Sequence, residues 1–389
     1  MEGANGRPAR VDAERVSTAA AGSYRCSRYP EGMATISFAR GIPAPECLAV
    51  EDLAVCARAA LERDGHTILS YGPSPGYLPL REWLAARHGV DVSRIFITNG
   101  SLQGFVFLAQ RLAPGKRVLV ERPTYDRPLK ILQELGADTV ALDCDDEGLD
   151  PDALEAALRS GEKPAFLYLI PTFQNPSGRT LGVERRRRIV ELAAEHELLV
   201  LEDDPYGLVR FEGEAPPSLY DLSGGEIAYS SSFSKTIAPG LRVGWFVLPE
   251  GLARQIEAEA TSTYITPVLL GQATVHEFVS RGLFEPNLER VTGLLRARRD
   301  AMLAALDSDL PGVAATRPEG GYFLWLDLDG TDAGPLLAEA EATGVTFVKG
   351  TDFGGGPDTL RLAYSFVSPA EIAEGVARLA SLLPAAVRN

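Results

Sequence analysis

The sequence predicts an α/β protein in which a mostly parallel sheet lies between helices and is followed by a smaller α+β unit. Short apolar runs of strand length alternate with amphipathic segments of helix length through most of the chain, a pattern typical of βαβ units. The strands are rich in Val, Ile and Leu, as expected where helices cover both faces of a parallel sheet. A length of 389 residues with 45% hydrophobic and 23% charged positions suits a globular protein of more than one unit.

The predicted elements follow one another in a regular order. Two amphipathic helices come first, ECLAVEDLAVCARAALER and PLREWLAARHGV. Strands then alternate with helices from SRIFITNG and SLQGFVFLAQRLA to EIAYSSSFSK and VGWFVLP. A long helix over 283–308 precedes the strands YFLWLDL, TFVKG and TLRLAYS. We therefore predict an N-terminal arm over 1–45, flexible up to about residue 30, a large domain over 46–282 and a small domain over 283–389.

The chain is acidic, with 53 Asp and Glu residues against 38 Lys and Arg residues and a formal net charge of −15. Binding to nucleic acid or to an anionic membrane needs surplus Lys and Arg, so the sequence predicts neither partner. The arginines of the run 185–188 are accordingly expected on a solvent-exposed helix face. No apolar run approaches the ~20 residues of a membrane-spanning helix, and the N-terminal segment lacks the apolar core of a signal peptide.

The four cysteines, Cys26, Cys47, Cys56 and Cys144, are scattered without CxxC spacing. A disulfide framework or a zinc site needs clustered cysteines. We therefore expect reduced thiols, no metal and a cytoplasmic location, since thiols stay reduced there.

A lysine flanked by hydroxyls, Lys235, follows one predicted strand in the sequence SSFSK. Ser232 and Ser234 precede it, and Arg242 follows seven residues later. Hydroxyls and a guanidinium together form a phosphate site. Beside such a site Lys235 is either a charge partner or an amine that forms a Schiff base. The P-loop pattern GxxxxGK[ST], which also binds phosphate, is absent from the sequence.

Polar residues follow further predicted strands. The acidic segment EDDPYG ends one strand, and carboxylates at the carboxyl ends of strands in an open parallel sheet lie where ligands bind. Asn175 follows another strand in NPSG, which alone is an ordinary turn sequence. Gly100 and Ser101 join a strand to a helix whose N-terminus can face an anion. Arg361 lies within a small-domain strand, where an arginine needs a partner.

Together the motifs ITNGSLQG, RPTY, PTFQNPSG, EDDPYG, SSFSKTIAPGLRVGW and LRLAYS resemble, in this order, those of the class I/II aminotransferases. These are the fold type I pyridoxal-phosphate enzymes. The resemblance runs from about Ile36 to the C-terminus and is closest to the 2-aminoadipate-type aminotransferases. It implies the fold type I architecture and pyridoxal 5′-phosphate as the cofactor.

The resemblance implies roles for the residues that match its motifs. Lys235 would form the internal aldimine with the cofactor and later move the proton between substrate and cofactor. Asp203 would pair with the pyridine nitrogen because it lies three residues before Tyr206, and the adjacent Asp204 is its competitor. Tyr206 would hydrogen-bond the phenolic oxygen of the cofactor. The other implied cofactor contacts are Asn175 at the phenolic oxygen, Tyr125 on the ring, and Gly100, Ser101, Leu102, Ser232, Ser234 and Arg242 at the phosphate.

Partner and substrate residues are implied in the same way. Tyr71, in SYGPSPGYLPLRE, resembles the tyrosine that reaches the phosphate from a neighbouring subunit, which implies a homodimer with shared active sites. Arg361 would bind the α-carboxylate of an amino-acid substrate, with Asn175 beside it.

Three positions depart from the family pattern. Arg40 stands before Gly41 in a segment that usually carries two glycines, and the two residues are expected in the substrate pocket. Leu102 stands where relatives usually have Gln, and Lys349 replaces a usual Pro. The role of these three residues in substrate choice is left open by the sequence.

The function predicted from the resemblance is a pyridoxal-phosphate-dependent aminotransferase acting on an α-amino acid. The alternative is elimination, replacement, cyclisation or carbon–carbon bond formation on an amino acid in a specialised biosynthetic pathway, because the same cofactor serves all of these reactions. A third reading, a regulator that senses the cofactor, is disfavoured by the acidic charge and by the absence of a winged-helix segment in the sequence.

Overall fold

A computed structural model describes residues 35–384 of the chain. The segment predicted to be a flexible arm up to about residue 30, with Cys26, lies outside the described residues. The helices are α1 (Val50–Ile68), α2 (Leu78–His88), α3 (Ser101–Leu112), α4 (Asp126–Glu134), α5 (Pro151–Arg159), α6 (Val183–Glu195), α7 (Leu219–Leu222), α8 (Glu250–Tyr264), α9 (Leu269–Ser280), α10 (Phe284–Asp309), α11 (Ala333–Ala342) and α12 (Pro369–Leu382). The strands are β1 (Ile36–Ser37), β2 (Ile95–Thr98), β3 (Arg117–Arg122), β4 (Asp138–Asp145), β5 (Gly148–Leu149), β6 (Phe166–Leu169), β7 (Val200–Asp203), β8 (Ala228–Ser232), β9 (Gly244–Val247), β10 (Ala314–Ala315), β11 (Phe323–Asp327), β12 (Val345–Thr346), β13 (Val348–Lys349) and β14 (Thr359–Ala363).

The large sheet has eight strands in the order β2-β9-β8-β7-β6-β3-β4-β5. Five adjacent strands of this sheet are parallel to one another: β4, β3, β6, β7 and β8. This confirms the predicted mostly parallel sheet. Strand β9 is antiparallel to both β8 and β2. Only a short 3-10 turn, Pro239–Leu241, lies between β8 and β9, and parallel pairing would need a longer crossover. The connection that carries Lys235 is therefore short, and it lies at the end of the sheet where β8 ends and β9 begins.

Helices cover both faces of this sheet, as the sequence predicts. Because side chains alternate along a strand, Phe96 packs with α3 and α8 on one face while Ile95 and Ile97 pack with α1, α2 and α9 on the other. The helices α8 and α9 were not assigned from the sequence. Helix α9 has apolar or small residues on nearly all sides and is largely buried.

The C-terminal part has its own core around a four-stranded antiparallel sheet, β10-β11-β14-β13. The helices α10, α11 and α12 pack against this sheet. Strand β1, from the segment predicted to be the arm, pairs in parallel with β12, and Phe38 is fully buried in the same core. This pairing brings the following residues, Ala39 to Gly41, to the cleft between the two sheets.

The arginine run on α6 is not wholly solvent-exposed. The prediction of an exposed face was wrong for Arg186, which is 1% exposed and donates hydrogen bonds to the carbonyls of Leu181 and Pro171. The reason is helical periodicity: Arg186 shares its face with the buried Ile189 and Ala193, three and seven residues further on.

Three cysteines lie in the part of the chain that the structure describes, and all are free thiols: Cys47, Cys56 and Cys144. Within residues 35–384 no group of three His, Cys, Asp or Glu side chains is arranged to hold a metal ion. Over the same residues no helix is both long and apolar enough to cross a membrane.

Candidate active site

A cavity of about 450 Å³ lies where the carboxyl ends of the large-sheet strands face the small domain's sheet. Both sheets and the loop after β1 contribute to its walls. A larger open cleft, of about 950 Å³, includes Arg210 and Trp325 but neither Lys235 nor Asp203. The smaller cavity brings together most of the residues singled out in the sequence: Gly41, Gly100, Ser101, Leu102, Tyr125, Asn175, Asp203, Tyr206, Ser232, Ser234, Lys235, Arg242 and Arg361.

Lys235 is the amine inside this cavity. Its Nζ donates a hydrogen bond of 2.8 Å to the carbonyl of Gly41, and the Tyr322 hydroxyl donates to its backbone carbonyl at 2.8 Å. The Nζ atom also lies 5.5 Å from the ring centre of Tyr206 and 5.2 Å from that of Tyr322. Burial, followed by the positive charge of Arg361, lowers the pKa of Lys235 to about 8. About a tenth of the amine is therefore neutral at pH 7, far more than for an ordinary lysine, and the neutral form is the nucleophile.

Asp203, the last residue of β7, places an unsatisfied acceptor in the cavity. Its Oδ2 accepts a hydrogen bond of 2.8 Å from the Tyr168 hydroxyl, whereas its buried Oδ1 has no partner among residues 35–384. Burial raises the pKa of Asp203 to about 6. An orphaned buried acceptor is costly unless a ligand satisfies it, so Oδ1 suits a cationic N–H donor.

The competing carboxylate, Asp204, faces away from the cavity. Its Oδ1 accepts from the amide of Gly207 at 2.8 Å, and its Oδ2 accepts from the Tyr229 hydroxyl at 3.0 Å. Both oxygens thus have protein partners, and Asp204 does not line the cavity. Strand alternation separates the two neighbours.

One end of the cavity is built for an anion. Ser101 begins α3, and Gly100 before it has a φ of 90°, in the left-handed region that favours glycine. A Cβ at Gly100 would clash with the guanidinium of Arg242. The Ser232 hydroxyl donates to that of Ser234 at 2.8 Å, on the same side. A helix N-terminus, two hydroxyls and a guanidinium converge here, which is the chemistry of a phosphate site.

Another part of the cavity wall is built around Arg361. Its Nη1 donates to the Asn175 side-chain oxygen and its Nη2 to the carbonyl of Ala39, both at 2.8 Å, while its buried Nε has no partner in the part of the chain that the structure describes. The guanidinium lies 4.3 Å from the ring centre of Phe323 and 4.9 Å from that of Phe353. Burial lowers the pKa of Arg361 to about 10, so the group stays charged at neutral pH. A planar, partly unsatisfied guanidinium suits a carboxylate.

The arrangement fits pyridoxal phosphate in three places. The orphaned Oδ1 of Asp203 can accept from the pyridinium N–H, the part of the wall beside Gly100 can hold the phosphate, and the Lys235 amine lies in the same cavity, where the charges of Arg361, Arg242 and Asp203 affect its pKa. Tyr125 and Tyr206 add aromatic surface to the walls. Which atom of the cofactor each residue contacts stays a prediction.

Three of the residues discussed in the sequence do not line this cavity: Arg40, Tyr71, which is predicted to serve a neighbouring subunit, and Lys349. Arg40 is exposed, with its guanidinium carbon 5.2 Å from the ring centre of Phe366, and it does not line the cavity. Tyr71 lies on the loop after α1 and is 81% exposed. Lys349 lies 3.8 Å from Asp352, also outside the cavity wall.

Four aromatic residues of the site were missed by sequence reasoning. Tyr168 supports Asp203, Tyr322 holds the backbone of Lys235, and Phe323 and Phe353 flank Arg361. A signal existed for Tyr168, because a hydroxyl in the middle of the largely apolar run AFLYLIPT needs a buried partner. The other three come from the small domain, and their contacts depend on how the two sheets meet.

The family model described as aminotransferase class I and II matches residues 46–379. A 2-aminoadipate transaminase of Thermus thermophilus is 40% identical, over 90% of this chain and 90% of the relative. An aromatic-amino-acid aminotransferase of Thermococcus litoralis is 36% identical, over 90% of this chain and 88% of the relative.

Solved structures of the same family superpose closely. The α-aminoadipate aminotransferase of Thermus thermophilus, in complex with N-(5′-phosphopyridoxyl)-L-leucine, matches with a TM-score of 0.85 and 38% identity over 90% of this chain and 92% of that one. A kynurenine aminotransferase of Pyrococcus horikoshii matches with a TM-score of 0.86 and 36% identity over 91% of each chain. The predicted fold type I architecture is therefore confirmed. This chain belongs to the class I and II aminotransferases, the fold type I enzymes that depend on pyridoxal phosphate.

Proposed function

We propose that this aminotransferase acts on its α-amino acid through Lys235, Asp203 and Tyr206, with Arg361 holding the substrate. The observation that carries the proposal is one cavity containing a pKa-lowered amine, a buried unpartnered carboxylate oxygen and a guanidinium with a free N–H. Pyridoxal phosphate, when bound, supplies the electron sink for chemistry at the α-carbon of the amino acid.

The chain's own residues would then divide the work. Asp203 Oδ1 holds the proton on the ring nitrogen, and Tyr168 keeps that carboxylate in place. Arg361 binds the α-carboxylate, while Asn175 and Phe323 fix the guanidinium. The Lys235 amine is the base for the proton at the α-carbon, because its lowered pKa is near the working pH.

The attachment of the cofactor tests the role of Lys235. Lys235→Ala should abolish the adduct that borohydride reduction fixes to the wild-type protein, because Lys235 is the one lysine among the described residues that lines the cavity. Lys163→Ala is the matched control, since Lys163 is exposed, pairs with Glu197 at 2.8 Å and does not line the cavity among the described residues. Peptide mapping that finds the pyridoxyl label on another lysine would refute the assignment.

The substrate is proposed to carry an apolar or aromatic side chain. One relative named above acts on aromatic amino acids, and the cavity wall includes the apolar side chains of Ile42, Leu102 and Phe105. The other relative acts on 2-aminoadipate, whose side chain is acidic, so the competing proposal is an acidic substrate. A panel of amino acids, assayed for keto-acid release with and without an α-keto-acid acceptor, tests both the substrate side chain and the type of reaction. Release that needs no acceptor would replace transamination with the elimination alternative.

A homodimer with shared active sites is also proposed. Tyr71 is 81% exposed beside other exposed apolar residues, Leu69, Ile265 and Val268, which fits a surface covered by a second copy. If Tyr71 serves the partner's site, Tyr71→Ala and Lys235→Ala chains should be inactive alone. After unfolding and refolding together they should regain about a quarter of the wild-type activity, because half of the dimers have one intact site. No regain would place Tyr71 outside the partner's site.

A cytoplasmic location is proposed on the cysteines. The described cysteines are free thiols, two of them buried, as is typical of a reducing compartment. Cell fractionation with an antibody against the protein tests the location, and recovery from the medium or the membrane fraction would contradict it.

A further inference from the structure

Gln174 precedes Asn175 in the chain, does not line the cavity, and has all of its side-chain polar atoms engaged. Its Nε2 donates a hydrogen bond of 2.7 Å to the carbonyl of Pro123. Its Oε1 accepts from the amide of Ser177 at 3.1 Å and from the Ser177 hydroxyl at 2.6 Å. At 4% exposure the residue is shielded from water. One buried side chain thus joins two loops, 122–125 and 174–178.

Each of these loops carries a residue of the cavity wall. Tyr125 follows Pro123 by two residues and forms part of one wall. Asn175 follows Gln174 directly, and its side-chain oxygen accepts a hydrogen bond from Arg361 at 2.8 Å. A shift of either loop would therefore change the separation between Tyr125 and Arg361.

The sheet behind Gln174 fixes it in place. Glu121, near the end of β3 and 4% exposed, accepts a hydrogen bond of 2.8 Å from the amide of Ile170, just beyond the end of β6. Burial raises the pKa of Glu121 to about 8, and the hydrogen bonds from the Ile170 amide and the Gln174 side chain offset part of that rise. The Gln174 backbone closes its own loop, since its amide donates to Arg179 at 2.9 Å and its carbonyl accepts from Gly178 at 2.6 Å. Gln174 is thus attached to the ends of two central strands.

We propose that Gln174 is a positioning residue that holds Tyr125 and the Asn175–Arg361 pair at a fixed separation, without touching cofactor or substrate. The inference rests on the proposed function, in which these residues face the cofactor ring and the substrate carboxylate. Active-site groups reach their full effect only when the residues behind them are locked.

The test uses a variant of equal length with no hydrogen-bonding group, Gln174→Met, and a milder one, Ser177→Ala. The milder variant removes the 2.6 Å bond to Gln174 and the 3.3 Å bond that the Ser177 hydroxyl accepts from the amide of Arg179. Ser223→Ala is the control. The Ser223 hydroxyl makes three backbone hydrogen bonds, to Tyr220, Glu226 and Ile227, away from the cavity. For each protein we would measure the pyridoxal-phosphate dissociation constant of the apoprotein by fluorescence, KM and kcat for one amino acid, and thermal unfolding.

Gln174→Met should raise both the cofactor dissociation constant and KM about tenfold while kcat changes less than about threefold, because binding walls move and the reacting groups remain. Ser177→Ala should raise KM about threefold. Ser223→Ala should lower the unfolding temperature but leave the cofactor dissociation constant and KM unchanged. A purely structural role for Gln174 would give the pattern of Ser223→Ala.

The possible results separate this inference from the proposed function. A wild-type protein that fails to bind pyridoxal phosphate overturns both. A wild-type protein that binds it, with Gln174→Met unchanged in the dissociation constant and KM, overturns only the positioning role. If Gln174→Met does not fold, Ser177→Ala decides, and an unchanged KM in that variant overturns the inference.

Discussion

Asp203 and its neighbours Glu202 and Asp204 leave the end of strand β7 on opposite sides of the sheet. On the rear side, the Glu202 carboxylate accepts from the amides of Leu219 and Tyr220 at 3.2 and 2.8 Å. Asp204 is satisfied by two protein donors as well. On the cavity side, Asp203 keeps one buried oxygen without a partner.

The difference separates a structural cluster from a binding site. Glu202, Asp204 and Arg186 form a cluster on the rear side of the sheet, called the rear cluster here. The Nη1 of Arg186 lies 3.6 Å from Glu202, and both of these side chains are 1% exposed. The polar groups of the rear cluster have hydrogen-bond partners within the protein, as stability requires. The cavity side leaves polar atoms unpaired on both Asp203 and Arg361. Unpaired atoms at a functional site lower stability until a ligand satisfies them.

The largest expected effect compares the two aspartates directly. Asp203→Asn keeps the size of the side chain but removes the charge facing the ring nitrogen, so kcat should fall at least ~10²-fold, about 3 kcal/mol. Asp204→Asn should lower kcat less than about threefold, because that side chain faces the rear cluster. Steady-state kinetics on both variants checks the pair. Equal losses would mean that the side of the sheet does not decide the role.

Substitutions in the rear cluster should lower the free energy of unfolding rather than kcat. Arg186→Met removes the cation beside the buried Glu202, and breaking such a pair costs about 3 kcal/mol of unfolding free energy. Arg187→Met is the matched control on the same helix, because Arg187 is exposed and pairs with Glu184 at 2.7 Å; its loss should be below about 1 kcal/mol. Urea unfolding measures both. An Arg186→Met protein as stable as Arg187→Met would argue against a structural cluster.

A third prediction concerns pH on the cavity side. Since the pKa of Lys235 is lowered to about 8, its amine gains a proton below that pH. The rate at which apoprotein captures pyridoxal phosphate should therefore fall about tenfold per pH unit below 8 and level off above it. Arg361 contributes to the lowered pKa, so Arg361→Gln should move the bend to higher pH.

Stopped-flow absorbance across the pH range would locate this bend in each protein. Arg254→Gln is the control, since Arg254 is exposed on α8, outside the cavity. A bend at the same pH in wild type and Arg361→Gln would show that the two groups do not interact.

The comparison also shows what the sequence could predict. The order of strands and helices followed from local periodicity, and alternation along β7 separates Asp203 from Asp204 without any tertiary information. Strand β1 was not predicted, because a two-residue strand carries no pattern and depends on its partner β12. The burial of Arg186 could have been found, since it lies in phase with Ile189 and Ala193 on α6.

The smallest expected effect concerns Arg40, which the sequence placed in the substrate pocket. The backbone beside it does reach the site, because the carbonyls of Ala39 and Gly41 accept from Arg361 and Lys235. The Arg40 side chain turns instead toward Phe366 and solvent. Losing an exposed cation–π contact costs about 0.5–1 kcal/mol, so Arg40→Gly should lower stability slightly.

The same change separates the two possible positions of the Arg40 side chain. If the Arg40 side chain lies over Phe366, Arg40→Gly should raise KM less than about threefold for every amino acid tested, because the glycine gives the backbone at 39–41 more freedom. A side chain that turns into the pocket would bind a distal anion, and KM would then rise for acidic substrates alone. Arg40→Lys distinguishes the two further, because it keeps the positive charge while changing the packing on Phe366. If KM rises for acidic substrates alone in Arg40→Gly, and this rise is absent in Arg40→Lys, the Arg40 side chain lies in the substrate pocket, as the sequence predicts.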